Sequence, residues 1–455
     1  MKAKTAMVVG LLGALAMASP SFGAGFAIIE QSVSGLGNAF AGGAASAEDA
    51  TTIFFNPAGL TRLKGQQVVA GIHYISPRTE FKDEGSSVSP AFGGGALSGN
   101  DGGEGGEDAF VPNFYYSASL GDDWAIGLGI NAPFGLSTEY DDGWKGRYHA
   151  LRSDVMTVNI NPSAACKVNE HLSLGAGVSA QYVDAELSNA IDFGSIAFAM
   201  TSGAMSAPQS ADGKVVLEAN DWSYGYNLGV LYEFTENSRF GLAYRSRIEY
   251  TAEGNADFSV PTSITALPVG VGAGLAAVFA DTDAKADLCL PDSASASFYH
   301  RFNPRWAVMA DVTWTNWSTF KELRVEFDNP LKSDSVTDYS WEDSWRYSIG
   351  ATYNPNEKLA LRAGLAYDET PIPSAELRTP RVPGEDRLWT AVGLGYSFSD
   401  RANLDIGYAH LFVSDSKINR QAGIDPSGEN FFAGTLVGEF ENSVDIASVQ
   451  FSYSF

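Results

Sequence analysis

From about residue 66 to the last residue, apolar and polar side chains alternate with a period of two in segment after segment, and the connections between segments alternate between very short and long. The alternating segments fall near 66-81, 110-121, 123-138, 153-168, 171-188, 221-235, 238-253, 293-303, 305-322, 340-354, 357-371, 387-399, 401-412 and 441-455, which makes about fourteen strands. Tight turns carrying turn residues join them at Gly121-Asp122-Asp123, Val168-Asn169-Glu170, Thr235-Glu236-Asn237, Asn303-Pro304, Asn354-Pro355-Asn356 and Ser399-Asp400. Between these lie the long connections 82-109, 139-152, 189-220, 254-292, 323-339, 372-386 and 413-440. Short turns at one end and long loops at the other, with an even strand count, are what a single-chain antiparallel barrel in a membrane requires.

The N-terminus decides between a soluble and a membrane-embedded sheet. Lys2 and Lys4 precede an apolar run from Ala6 to Ala18, followed by Ser19, Pro20 and the small-x-small site Ser21-Phe22-Gly23, so residues 1-23 read as an export signal. Beyond it, the run from Val269 to Ala280 comes nearest to a spanning helix and is too short. An exported chain can still cross a bilayer as a closed barrel, because closure pairs every backbone N–H and C=O internally. The final segment fits: Ala447, Val449, Phe451, Tyr453 and Phe455 form one face, Ser448, Gln450, Ser452 and Ser454 the other. A terminal strand ending on Phe455 is expected to engage the barrel-assembly machinery.

The lipid face is readable within strands, as Leu172, Leu174, Ala176, Val178, Ala180 and Tyr182 in one and Leu359, Leu361, Ala363, Leu365 and Tyr367 in another. Their alternates, among them Gly175, Ser179, Gln181, Arg362 and Asp368, are assigned to the lumen, where water or protein can satisfy them. Aromatics make up 12% of the chain and collect at strand ends (Trp124, Tyr232, Phe234, Trp306, Trp314, Tyr353, Tyr396, Phe398), where an interfacial belt belongs. A net charge of -25 argues against nucleic acid or anionic-lipid binding. The acidic rim could hold divalent cations beside lipopolysaccharide, with plain loop solvation as the simpler reading. Cys166 follows the outward parity of its strand and Cys289 falls in a loop, so no disulfide between them is expected; no metal-ligand spacing and no cofactor motif is present.

Residues 24-65 do not alternate, and 66-455 form the barrel. The leading segment is rich in glycine and alanine and carries Phe26, Ile28, Ile29, Phe54 and Phe55, which left exposed would form a costly apolar patch. A fourteen-stranded lumen is wide enough to need water or a plug, so this segment is expected to fold inside as a small helical hatch; a periplasmic arm is the alternative. Pro133 interrupts an alternating strand between Ile130 and Phe134, and since proline cannot donate a ladder hydrogen bond, a kink is expected from Asn131 to Gly135, facing Asn56-Pro57-Ala58 of the hatch. The alternative places Pro133 at the extracellular strand end.

The start Ala24-Gly25-Phe26, then Ser34-Gly35-Leu36-Gly37-Asn38-Ala39 and Asn56-Pro57-Ala58, closely resembles the outer-membrane long-chain fatty acid transporters of the FadL type. The resemblance continues through Phe134-Gly135-Leu136-Ser137-Thr138-Glu139-Tyr140, Trp222-Ser223-Tyr224-Gly225-Tyr226-Asn227, Tyr244-Arg245-Ser246, Trp314-Thr315-Asn316-Trp317-Ser318 and Tyr367-Asp368-Glu369-Thr370-Pro371-Ile372-Pro373. It implies a fourteen-stranded barrel with an N-terminal hatch, and passive uptake of hydrophobic molecules through a lateral opening in the wall. It also implies an apolar capture groove between two extracellular loops, here 189-220 and 254-292, with Phe193, Phe198, Leu275 and Phe279 among its candidates. The inner site beside the N-terminus takes Phe26, Ile28, Ile29, Leu36 and Asp368, and the gate Asn56, Pro57, Ala58, Asn131, Pro133, Phe134 and Gly135. The partners expected are fatty acids or hydrocarbons and outer-membrane lipid, with the chain acting as a monomer.

Each methylene moved from water to an apolar wall gains roughly 0.8 kcal/mol, so such a channel needs modest sites and a gate rather than catalytic groups. Arg245, Arg346 and Arg362 are lumen-facing by parity and could meet a carboxylate or neutralise Asp311, Glu233 or Asp368. Two lumen positions that are basic in well-known members of the family are Asp184 and Glu342 here, which brings neutral ligands such as aromatic hydrocarbons into view beside fatty acids. A lipid hydrolase at the rim would need a positioned base, and His73, His149, His171, His300 and His410 are scattered without a spaced partner. A water-filled porin would conduct steadily; a plugged barrel would not.

Overall fold

The computed structural model describes residues 25–268 and 270–455, and the expected export segment 1-23 lies outside them. Its strands are β1 (Gln66–Asp83), β2 (Ala109–Leu120), β3 (Trp124–Asn131, resuming as Gly135–Glu139), β4 (Arg152–Lys167), β5 (Leu172–Asp192), β6 (Asp212–Thr235) and β7 (Ser238–Arg245, then Ile248–Ser259). They continue with β8 (Thr282–Leu290, then Ser293–Asn303), β9 (Trp306–Thr315, then Glu322–Phe327), β10 (Ser335–Asp338, then Ser344–Asn356), β11 (Leu359–Asp368), β12 (Arg387–Ser399), β13 (Ala402–Val413, then Ser416–Arg420) and β14 (Leu436–Ser454). Each pairs antiparallel with its sequence neighbour, and β14 pairs with β1 from Gln67↔Ser454 to Asp83↔Gly438. The sheet therefore closes into a fourteen-stranded antiparallel barrel. Among the described residues no helix is long and apolar enough to cross a membrane.

Alternation sorts the side chains as the bilayer demands. On β5, Leu174 and Val178 are exposed outward while Ser179 and Gln181 are buried inside; on β11, Leu361, Leu365 and Tyr367 face out and Asp368 faces in. Several strands run beyond the expected ends, and there the pattern inverts. The inner face of β6 is Asn227, Gly225 and Ser223 lower down but Ala219, Leu217 and Val215 higher up, opposite the outward Glu218. Lipid wants apolar residues outside; above the bilayer only the interior is dry, so the apolar side of a strand changes over. This inversion explains why parts of 189-220 and 254-292 read as unusually apolar loops: they include the upper ends of β5 to β8. Cys289 accordingly lies on β8 rather than in a loop.

Residues 25–65 carry three one-turn helices, Val33–Leu36, Gly43–Ser46 and Thr52–Phe55, and a 3-10 turn Pro57–Arg62. Helices this short leave most of their backbone groups without internal partners. The inward faces of the strands supply many of them. Val33 N–H donates to Gln450 Oε1 of β14 (3.0 Å), Ala44 N–H to Ser297 Oγ of β8 (2.9 Å), and Arg346 of β10 donates to Ala39 O (2.9 Å). Arg239 of β7 donates to Ala45 O and Ser46 O, and Arg245 to Phe54 O (2.9 Å). Glycines on the wall let this segment come within contact distance. A Cβ at Gly364 would stand 2.1 Å from Asn38 C, and one at Gly229 would stand 1.9 Å from Asn56 Oδ1.

Candidate functional site

The ladder between β2 and β3 is interrupted part-way along. β2 pairs with β3 from Leu120↔Trp124 to Phe114↔Ile130, and the next link is the single bridge Gly106↔Thr138. Residues 107–113 and 131–137 face each other without a ladder, and β2 there pairs only with β1. Pro133 lies in the interruption. The backbone groups around it bond elsewhere: Ile28 N–H donates to Pro133 O (2.8 Å), Gly135 N–H to Phe26 O (2.9 Å), Gln31 Nε2 to Ala132 O (2.7 Å), and Phe134 N–H to Thr157 Oγ1 (3.0 Å). A second interruption, between β6 and β7, is still tied by Ser246 N–H to Tyr226 O (2.9 Å) and Ser223 Oγ to Glu249 O (2.6 Å). Only the β2–β3 seam, of these two, lacks such ties among the described residues.

Behind this seam, cavities succeed one another through the interior. The outermost, of about 1290 Å³, lies among the extracellular connections and is lined by Ile191, Ile196, Phe258, Phe279 and Lys332, among others. It shares Leu187, Leu217, Leu323, Val325 and Arg381 with a middle cavity of about 880 Å³. The middle cavity ends on Phe26, and an inner cavity of about 1020 Å³ is lined by the next residues, Ala27, Ile28 and Ile29, together with Phe54, Phe55, Pro133 and Phe134. Phe26 is thus the partition. Its ring packs at 4.9 Å from Trp317, 5.7 Å from Phe320, 5.9 Å from Trp341 and 6.2 Å from Phe134. Trp317, Phe320 and Trp341 are there because the strands expected as continuous over 305-322 and 340-354 are interrupted, β9 between Thr315 and Glu322 and β10 between Asp338 and Ser344, and these connecting segments turn inward.

The expected site residues separate into groups. Ile28, Ile29, Asp368, Pro57, Pro133 and Phe134 line the inner cavity, and Phe26 the middle one. Leu36 does not line them: it is fully buried in the cluster with Phe40 and Trp389, against Gly407 of β13. The residues opposite the β3 interruption are Phe26 to Ile28, not Asn56-Pro57-Ala58. Asn56 donates to Ala44 O (2.6 Å) and Val230 O (3.0 Å), and Pro57 and Ala58 press on Gly175, so that turn seals against β5 and β6. Asn131 accepts from Asn159 Nδ2 (3.1 Å) on β4, and Gly135 holds Phe26 through its N–H. In the loops, Phe193 stacks edge-on to Phe279 at 4.8 Å within a core shared with Leu275, while Phe198 turns to Phe92 at 6.0 Å; of these only Phe279 lines the outer cavity.

The charges also differ from the expected pairing. Asp368 is bound by Arg387 (3.1 Å), Arg362 by Asp405 (2.7 Å) and Glu48 (3.2 Å), and Glu233 by Arg62. Asp184 and Glu342, expected in the lumen, are exposed, with Asp184 on the outward side of β5. Neither bears on a ligand inside. Among the histidines, His73 Nδ1 lies 2.8 Å from Ser448 Oγ and its Nε2 3.0 Å from Asn113 Nδ2, directly across the β1–β14 and β1–β2 seams with no exposure. That triplet holds the wall and borders none of the three cavities. His149, at the outer cavity, is pushed down to about 3 by burial.

A closed, acid-loop barrel of this kind with apolar cavities inside is an outer-membrane β-barrel that handles hydrophobic molecules. Over residues 14–455 the chain matches the family described as outer membrane protein transport protein (OMPP1/FadL/TodX), and it belongs to that family. It is 29% identical to a long-chain fatty acid transport protein of Escherichia coli O6:H1 over 100% of this chain and 98% of that one, and 34% identical to outer membrane protein P1 of Haemophilus influenzae over 90% and 88%. Among solved structures it is similar to a Pseudomonas aeruginosa FadL homologue, with a TM-score of 0.84 and 25% identity over 95% of this chain and 100% of that one. The fold is shared with the Pseudomonas putida toluene transporter TodX (TM-score 0.68, 18% identity, 96% and 99% covered). The chain is a bacterial outer-membrane protein of the hydrophobic-compound transporters.

Proposed function

We propose that the protein takes up long-chain fatty acids passively. Ligand enters the outer cavity, moves through the middle cavity to the inner one beside Phe26, Ile28 and Ile29, and leaves sideways into the bilayer through the β2–β3 seam. Residues 25–65 act as the plug that keeps water and solutes from passing straight down the bore. The observation that carries this reading is the unpaired stretch 107–113 against 131–137, bordered by Pro133 and Phe134 of the inner cavity's lining. An acyl chain gains roughly 0.8 kcal/mol per methylene on such walls, so transfer from one apolar site to the next and then to lipid needs no energy input. No chemical step is required of the protein, and the transport proteins it resembles support a non-enzymatic role.

The test is uptake of a radiolabelled fatty acid and of a neutral aromatic by cells expressing wild type, Phe26→Ala or Asn56→Ala. Uptake that does not depend on the protein for either compound refutes the assignment. Neutral aromatic hydrocarbons by the same route are the second reading, favoured by the purely apolar character of most of the middle cavity's lining.

A further inference from the structure

Four tryptophans are fully buried, Trp144, Trp317, Trp341 and Trp389. A buried indole ordinarily finds an acceptor for its N–H, because an unpaired one forfeits the hydration it has lost. Trp144, which borders none of the three cavities, follows that rule: its Nε1 donates to Ala150 O (2.8 Å). The other three do not. None of their Nε1 atoms has an acceptor among the described residues. A phenylalanine at each position would fill much of the same space and leave no polar atom unpaired, so packing alone gives no reason for an indole there.

The three unpaired indoles lie together along the path between the middle and inner cavities. Trp341 packs 4.9 Å from Phe320 and 5.6 Å from Tyr339, both of which line the middle cavity. Trp317 stands 5.0 Å from Trp341 and 6.2 Å from Phe134, which lines the inner cavity, and both indoles pack on the Phe26 partition. Trp389 lines the inner cavity itself, with the Arg346 guanidinium, a donor, 5.0 Å over its ring. The surrounding rings accept an N–H only weakly. We infer that Trp341, Trp317 and Trp389 form a line of neutral hydrogen-bond donors for the oxygen of a passing head group. Cargo with an acceptor oxygen, an alcohol or ester as much as an acid, then crosses the partition more readily than a hydrocarbon of equal length. An oxygen entering an aromatic constriction loses its bonds to water, and a donor on each side of Phe26 restores one at each step. Single neutral bonds are weak enough that the head group is handed on rather than trapped. The inference rests on the proposed transport reading and adds to it a specificity element that does not depend on charge.

The experiment compares uptake of radiolabelled dodecan-1-ol and dodecane, equal in chain length and differing in the oxygen, by cells expressing the full chain, normalised to the heat-modifiable folded barrel. Trp317→Phe combined with Trp341→Phe keeps an aromatic ring at both positions and removes both N–H groups. It should lower dodecanol uptake relative to dodecane about fivefold, the size of one neutral hydrogen bond. An unchanged ratio in a folded double variant overturns the inference while leaving transport intact. A second measurement does not depend on that variant folding. In lipid nanodiscs, the difference between ultraviolet resonance Raman spectra of wild type and Trp389→Phe isolates one indole. Its N–H band should move to the hydrogen-bonded position with dodecanol and stay in place with dodecane at the same mole fraction in the lipid. A band already hydrogen-bonded without either compound, or one that responds equally to both, also overturns the inference. If uptake of neither compound depends on the protein, the transport reading fails together with it.

Discussion

Replacing Phe26 with alanine should loosen one end of the N-terminal segment without loosening the barrel. The ring is 5% exposed and meets four aromatic neighbours at centroid distances of 4.9 to 6.2 Å. Deleting a buried phenylalanine ring costs about 3–5 kcal/mol where the surroundings cannot collapse. Here Trp317, Trp341 and Phe134 are held by their own strands or turns, and the hole would merge with cavities of about 880 and 1020 Å³, so little of the cost is recovered by repacking. What this energy holds closed locally is the pair of backbone bonds at the seam, Ile28 N–H to Pro133 O and Gly135 N–H to Phe26 O. A loss of about 3 kcal/mol corresponds to a roughly hundredfold larger equilibrium constant for local opening. Amide hydrogen exchange on the detergent-solubilised full chain should therefore show protection at Ile28 and Gly135 falling by about that factor, with His73 and its neighbours in the closed β1–β14 seam unchanged. Unchanged protection at Ile28 and Gly135, or an equal loss across the barrel, would refute the reasoning.

Two further outcomes follow from contacts in the wall and vestibule. Gly229→Ala places a Cβ 1.9 Å from Asn56 Oδ1 and should push the Asn56–Ala58 turn off the wall, raising single-channel conductance in planar bilayers; Gly274→Ala, with nothing within 4 Å, should not. Affinity of the full chain for dodecanoate should be full at neutral pH and fall as pH rises through about 8, where Lys332, buried at the outer cavity among Phe258, Phe279 and Phe327, loses its proton, while dodecanol affinity stays flat. Among the other titratable groups around that cavity, burial keeps His149 neutral, pushes the Tyr148 hydroxyl up and raises the carboxyls of Asp192 and Glu429. A pH profile shared by both ligands would contradict it.

The strand number, the tight turns and the lipid face are readable from residues because the bilayer imposes one rule on every strand it contains, as Leu174 and Val178 outside and Gln181 inside illustrate. The rule ends where the lipid ends. Val215, Leu217 and Ala219 keep a period of two, but their apolar side turns to a dry interior, so the upper parts of β5 to β8 look like greasy loops. Pro133 is legible because a missing N–H has only one meaning inside a ladder. The partner of the interruption is not legible, since any nearby backbone could bond Pro133 O, and the one that does is Ile28 rather than the Asn56 turn. Trp317, Phe320 and Trp341 were hidden for a related reason: the chain leaves the sheet after Thr315 and again after Asp338, and nothing in an aromatic-rich stretch distinguishes an inward turn from an interfacial belt. Lys332 carries no local signal at all, because its cage is assembled from Phe258, Phe279 and Phe327 on three separate elements.

The central claim is that cargo leaves through the β2–β3 seam. The most direct measurement is uptake of radiolabelled oleate by cells lacking other fatty acid channels, expressing wild type, Ala132→Trp or Leu120→Trp, normalised to the heat-modifiable folded barrel at the surface. Ala132 lies inside the interruption, packed in one cluster with Val111 and Ile28, and an indole there fills it; Leu120 sits at the far end of β2 with 54% exposure and serves as the control. The account predicts that Ala132→Trp abolishes most uptake and Leu120→Trp leaves it intact. Undiminished uptake through a folded Ala132→Trp barrel would contradict it.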